Sequence, residues 1–373
     1  MNRVTRVAVL ATATALALSA CASAPDDEPA ATTADPGETA EETVDFTACM
    51  VSDEGGFDDA SFNQSGFEGL ELAEQTLGIQ IRTAESADPG QYTANVDSMV
   101  QEGCDLIIGV GFALEDSIQA AAEENPDMHF ALVDSAFSAE DFSPVELDNA
   151  KPLLFNTQEA AFLAGYLAAG QSETGTVATF GGMPFPSVTI FMDGFVDGVA
   201  RYNEDNGTDV SVLGWDKEAQ NGSMIGNFSD TEAGRTTTEQ FIASGADVIL
   251  PVAGPVGAGS LNAASQADGV SVIWVDSDGY LQASNEQYQS LILTSVIKQI
   301  GNAVYDTIEA AVQGDFSSEP YVGTLENKGV DLAPLHDFES QVDAEVVSMI
   351  EELRAQIIAG DLVVDSVSAT PTD

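Results

Sequence analysis

Positive charge is scarce in this sequence: ten Lys and Arg stand against 62 Asp and Glu, a formal net charge of −52 over 373 residues. A surface of that sign repels nucleic acid and anionic lipid headgroups, which excludes a nucleic-acid role. The acids run through the whole chain instead of gathering in a tail, and 44% of the residues are hydrophobic. That is enough for a large core, so disorder does not explain the composition. The expectation is a folded, acid-coated protein adapted to high salt, as in a halophile. Molar salt shortens the Debye length to about 3 Å and screens the self-repulsion.

Histidine and cysteine are equally sparse. The two histidines, His129 and His336, stand alone, and no Cys or His group has the spacing of metal ligands. No metal and no other cofactor is expected. His129 precedes an apolar strand, where a structural role is expected. There is no Gly-x-Ser-x-Gly element and no activated nucleophile, which argues against a hydrolase. Cys49 lies inside an apolar run and Cys104 just before another. Two small buried thiols are favoured here, although a compartment outside the membrane would permit a disulfide.

Long hydrophobic runs are missing as well, apart from residues 7–18 near the start, which are too short for a permanent membrane helix. Arg3 and Arg6 precede that run and Leu18-Ser-Ala-Cys21 ends it, so residues 1–21 read as a bacterial lipoprotein signal peptide. Cleavage would free the Cys21 amine and its thiol would carry lipid. Residues 22–43 are Ala, Thr, Pro, Asp and Glu without apolar period, which reads as a disordered acidic tether. After cleavage 8 bases would face 62 acids, a charge of −54.

Beyond residue 44 strand and helix patterns alternate. Strands are expected at 46–52, 79–82, 106–110 and 129–133, with helices at 92–102 and 114–124 between them. The series pauses near Lys151-Pro152 and restarts. Helices are then expected at 157–169, 188–202, 233–243 and 260–267, with strands at 176–180, 210–213, 248–250 and 272–275. Short buried strands alternating with amphipathic helices imply an α/β fold with parallel sheets covered on both faces. Two such series imply two doubly wound lobes, since one core stops growing near this size. Residues 342–359 form an acidic amphipathic helix expected to pack on a lobe.

Residues 53–69 form a Gly-rich turn between the first strand and the first helix, and ligands bind beyond the carboxyl ends of such strands. The turn holds Asp53, Asp58, Asp59, Asn63, Phe57 and Phe67, with neither a dinucleotide fingerprint nor a P-loop lysine. Asp59 is expected to cap the helix, and Phe62, Phe191 and Phe195 to lie in the core. Other groups fall at strand ends or turns: Gly111 and Asp134 early, then Phe228, Gly254 and Asp276, with Lys298 near a crossover. Carboxylates and an amide can exchange hydrogen bonds with ribose hydroxyls and base edges, and phenyl rings can sandwich a base.

The turn Asp-Glu-Gly-Gly-Phe-Asp-Asp-Ala-Ser-Phe-Asn-Gln also resembles the signature of the basic membrane protein (PnrA-like) family, the nucleoside-binding lipoproteins of bacterial ABC importers. Ala87-Asp-Pro-Gly-Gln-Tyr92, residues 103–111, Phe162-Leu-Ala-Gly-Tyr166, Pro251-Val-Ala-Gly254 and Leu293-Thr-Ser-Val-Ile-Lys298 match it too. The resemblance implies a type I periplasmic-binding fold, its lobes joined by a multi-strand hinge. Residues 44–152 and 291–318 would form the N-terminal lobe, residues 153–290 and 319–366 the C-terminal one. It implies an extracytoplasmic protein, held to the cell membrane by lipid on Cys21. As a monomer it would catch a nucleoside, a purine above all, and pass it to ABC permease and ATPase subunits.

Carried over by motif, Asn63 and Asp58 would read the base, with Asp53 matching the other acid beside Gly-Gly, and Phe67 and Phe228 would sandwich the base. Gly254 would let backbone approach, Asp134 would close a first-lobe strand, and Asp276 would hold ribose. Lys298 would reach the ligand or clasp Asp276. Ser277-Asp278-Gly279 departs from the family's Asp-Gln after that acid, which leaves the ligand open. Another aromatic solute such as a flavin, a sensor role, or nucleoside hydrolysis by a carboxylate pair are the alternatives.

Overall fold

The computed structural model describes residues 44–370 apart from 140 and 142. The expected signal peptide, Cys21 and tether lie outside the described residues. The chain begins as the apolar alternation demands. The first lobe runs β1 (Thr47–Ser52), α1 (Phe62–Leu77), β2 (Gln80–Ala84), α2 (Tyr92–Gln101), β3 (Leu106–Val110), α3 (Glu115–Glu124), β4 (His129–Val133) and β5 (Ala150–Phe155). Helix α1 stops where Gly78 adopts a φ of 69°, a left-handed turn that glycine makes without strain.

The second lobe repeats the plan with α4 (Gln158–Gln171), β6 (Thr176–Gly181), α5 (Pro186–Asn206), β7 (Ser211–Leu213) and the small hairpin β8 (Trp215–Asp216) and β9 (Asn221–Gly222). There follow α6 (Thr231–Ala243), β10 (Val248–Val252), α7 (Gly257–Ala264), β11 (Ser271–Asp276) and β12 (Ile292–Lys298). The rest is α8 (Ile300–Gln313), β13 (Tyr321–Gly323), β14 (Val330–Leu332) and α9 (Ala344–Ile358).

Two six-stranded sheets result, in the orders β13-β5-β4-β3-β1-β2 and β14-β12-β11-β10-β6-β7. The first is parallel throughout, and in the second only β14 runs antiparallel, against β12. Strand by strand the orders match, so β4 corresponds to β11 and β5 to β12. The chain passes between lobes between β5 and α4, between β12 and α8, and between β13 and β14. One apolar cluster runs through both lobes, from Met50 and Ile108 through Leu163 and Phe195 to Leu250 and Ile273.

Several expected boundaries move. Residues 291–318 are expected in the first lobe. Instead β12 stays in the second sheet and pairs with β11 as far as Ile297. Only α8 returns, packing along α1. Residues 321–323 pair with β5 in the first sheet, and 153–155 belong to β5 itself. Lys151-Pro152 masked β5 because a charge and a proline interrupt its apolar run, yet Pro152 sits in register with Leu132.

The favoured pair of free thiols is also replaced. Cys49 and Cys104 form a disulfide with Cα atoms 6.0 Å apart. Strands β1 and β3 lie side by side, with Cys49 opposite Ile107, so the residue leading into β3 comes within reach.

Candidate ligand-binding cleft

Strands β1, β3 and β4 of the first sheet and β6, β10, β11 and β12 of the second run parallel within their sheets, so the turns at their carboxyl ends open toward one another. They enclose a cleft of about 530 Å³, solvent at its mouth included. Asp53, Asn63 and Asp134 line it from the first lobe, and Phe228, Gly254, Asp276 and Lys298 from the second.

Asp53 follows β1 and is half-buried beside Gly111, which follows β3. A Cβ on Gly111 would stand 1.9 Å from Asp53 Oδ2, and the glycine has a φ of 118°. Only glycine leaves room for that carboxylate. Asn63 Nδ2 donates to Asp53 Oδ1 at 3.0 Å and lies 3.4 Å from Asp59 Oδ2. The amide orientation is thereby set, and Oδ1 of Asn63, a residue only 2% exposed, is left without a partner among the described residues. A buried acceptor in that state is unfavourable until a donor arrives.

Burial pushes the Asp53 carboxyl up to about 8. The Asn63 hydrogen bond pulls it the other way, and Asp59, Glu54 and Asp134 add repulsion. Asp53 therefore holds a proton near neutral pH and can donate as well as accept. Asp59 takes the capping role, accepting from the amides of Ser61, Asn63 and Gln64 at 2.9, 2.9 and 3.0 Å, and it also lines the cleft.

Lys298 ends β12 at the floor. Its Nζ bonds Asp134 Oδ2, across the lobes, and lies 3.3 Å from Asp276 Oδ1. Burial works against its charge, but the two carboxylates hold it above its ordinary value. The ammonium also sits 4.7 Å from the Phe62 ring centroid and 5.1 Å from that of Phe191. Among the described residues it is the one cation lining a cleft that also holds Asp53, Glu54, Asp59, Asp134 and Asp276.

Two expected site residues are not brought in. Asp58 is exposed and away from the cleft, because the turn directs the neighbouring Asp59 inward. Phe67 packs tilted against Phe57, ring centroids 5.0 Å apart, and on the core. It shares a helix face with Asn63 but lies about 6 Å further along the axis, beyond the first turn that meets the cleft. Conversely, Phe62, expected in the core, lines the cleft, while Phe191 and Phe195 are buried in the core as expected and Phe191 also borders the cleft.

Sequence reasoning also missed Phe112 and Phe185, which stack across the lobes at 5.1 Å, with Phe185 6.0 Å from Phe228. Each has a local signal, Phe112 following the strand-end glycine and Phe185 preceding the proline that opens α5. Phe228 lies where Gly182 has no side chain, since a Cβ there would approach the ring to 2.3 Å.

Comparison with known proteins fits this geometry. A family model described as ABC transporter substrate-binding protein PnrA-like matches residues 46–366. The ABC transporter nucleoside-binding protein BmpA of Lactococcus lactis is 31% identical over 339 residues, 87% of this chain and 90% of its own. Basic membrane protein A of Borreliella burgdorferi is 32% identical over 253 residues, 67% of this chain and 68% of its own. Among solved structures, an ABC transporter solute-binding protein from Aeropyrum pernix K1 superposes with a TM-score of 0.76 at 26% identity. That match covers 86% of this chain and 94% of the other.

Proposed function

Since the chain belongs to the PnrA-like family of ABC transporter substrate-binding proteins, we propose that the solute it delivers to its permease is a nucleoside, with a purine base. Members of the family are extracytoplasmic solute-binding proteins. The observation that carries the nucleoside reading is Asn63 Oδ1, a buried acceptor without a partner among the described residues, in a cleft lined by phenylalanines and carboxylates. It calls for an N–H or O–H donor. Protonated Asp53 beside it supplies the complementary donor, so the pair can read an edge presenting both kinds of group. Phe62 and Phe228 offer faces for the base, and Asp276 acceptors for ribose hydroxyls. Lys298 is already clasped by Asp134 and Asp276, so a phosphate would meet five acidic side chains with no free cation. A nucleoside fits that balance and a nucleotide does not.

The name of the Lactococcus lactis relative, a nucleoside-binding protein, supports the same reading. The relatives are substrate-binding proteins, and capture without turnover is the activity proposed. Lipid on Cys21 would hold the protein, as a monomer, at the membrane beside its permease. Cys21→Ser should then move it from the membrane to the soluble fraction.

Isothermal titration with adenosine, guanosine, inosine and the free bases tests the solute. Asp276→Ala should weaken nucleosides about ten- to a hundredfold while hardly changing free-base binding. Equal affinity of parent and variant would end the ribose assignment. Release of free base from inosine would end the binding-only reading. A parent that ignores nucleosides and binds a flavin would keep the receptor and replace its solute.

A further inference from the structure

One turn of the first lobe docks directly on the second. The Ala60 carbonyl accepts from Trp274 Nε1 at 3.3 Å and from Ser277 Oγ at 3.2 Å. Ser61 Oγ donates to Asp276 Oδ2 at 2.7 Å and lies 3.3 Å from the Val275 carbonyl oxygen. Gln64 Nε2 reaches Gln282 Oε1 at 3.2 Å. None of Ala60, Ser61, Trp274 and Ser277 lines the cleft. These bonds join the lobes through the chain's own groups.

Two local features fit a role in closure. Ser61 occupies the N-cap position of α1, where a serine hydroxyl ordinarily accepts from its own helix. Here it makes no capping bond, because the Asp59 carboxylate takes the first-turn amides. The hydroxyl is free to cross to the other lobe. Ala60 adopts a φ of 54°, which residues with a Cβ avoid. Its carbonyl in that conformation receives both donors from the second lobe.

Asp276 is where the turn and the solute site meet. One carboxylate oxygen faces Lys298 and the other takes the Ser61 hydroxyl, so two of about four acceptor sites are filled. The remaining two suit a pair of hydroxyl donors. We propose that Ser61 is a positioning residue that couples lobe closure to solute recognition. Its hydroxyl fixes the Asp276 carboxylate only when the lobes are shut, and the Ala60 contact with Trp274 and Ser277 favours the shut state whatever the cleft holds. The recognition half rests on the reading of Asp276 as a solute ligand. The closure half does not.

The test uses the full chain and two readouts. In titrations with inosine, Ser61→Ala should weaken binding about ten- to a hundredfold, as losing a hydrogen bond to a charged group does. In an Asp276→Ala background the same change should cost less than about twofold. Additive losses would overturn the coupling. In small-angle scattering without solute, Ser61→Ala/Trp274→Phe should enlarge the radius of gyration relative to the parent. Ser277→Ala, a milder change at the same contact, should shift it the same way. Unchanged scattering in both variants would overturn the closure role. A parent that binds no inosine refutes the nucleoside reading, and scattering then decides for or against the turn on its own.

Discussion

Asp134 and Asp276 occupy the same place in the two lobes, and one lysine serves both. Each stands at the carboxyl end of corresponding strands, β4 and β11, within a Val-Asp-Ser sequence. Both have positive φ, 63° and 69°. Lys298 ends β12, and the matching register in β5 places Phe155 there. The duplication therefore provides two acids but a single cation, and the lobes meet through it.

Lys298→Met should leave two buried carboxylates unpaired and cost about 3–5 kcal/mol of stability at pH 7. Burial pushes Asp134 above the ordinary 3.8 even beside the lysine. A carboxyl raised on folding binds its proton more tightly in the folded state, so stability is lost as pH rises above the unfolded value. The variant should recover stability as pH falls from 7 toward 4. Denaturant unfolding at several pH values checks this, and a loss independent of pH would contradict it.

Asp53→Asn should stabilise the protein at alkaline pH. The folded carboxyl titrates near 8 against 3.8 in the ordinary state. Between those values the folded form holds the extra proton, so the parent loses stability as pH rises through that window and levels off above it. The amide variant lacks this slope and should gain on the order of 1–3 kcal/mol at pH 8.5, allowing for screening by cleft water. Melting curves from pH 5 to 9 would reveal it.

Phe62→Ala and Phe67→Ala should separate binding from folding. Phe62 lines the cleft, whereas Phe67 packs on Phe57. Loss of the Phe62 ring should weaken nucleosides roughly tenfold, from stacking of about 0.5–1.5 kcal/mol plus lost burial. Loss of the Phe67 ring should cost about 1–3 kcal/mol of stability and leave affinity within about twofold. Titration and unfolding of both variants give the comparison.

Breaking the Cys49–Cys104 bond by a double change to alanine should cost about 2–4 kcal/mol, since the bond closes a loop of 55 residues. Cys49 is fully buried, so mild reductant should act slowly on the folded protein. Mass spectrometry after alkylation under native and denaturing conditions would follow the reduction.

The melting temperature should climb steeply between dilute and molar KCl. Six of the eight Lys and Arg among the described residues already pair with acids, which leaves most of the acidic groups among the described residues without a cationic partner. Salt must then screen their mutual repulsion. A flat response would count against adaptation to high salt.

The order of strands and helices could be read from the chain because apolar periodicity is local. The place of Asp53, Asn63, Asp134, Phe228, Gly254 and Asp276 at the cleft was legible for a related reason: every strand of a parallel sheet points its carboxyl end the same way, so residues after strands gather on one edge. Other features depended on contacts between distant segments. Whether 292–298 joins the first sheet or the second is decided by hydrogen bonds to β11, not by its own apolar residues. Phe62 reaches the cleft while Phe67 does not because only the first turn of α1 meets the second lobe. Cys49 and Cys104 bond because β1 and β3 are neighbours across 55 residues of chain. Lys298 serves two acids and Ser61 crosses to Asp276 because folding brings strand ends from both lobes together. Periodicity carries the elements, and long-range pairing decides which side chains meet.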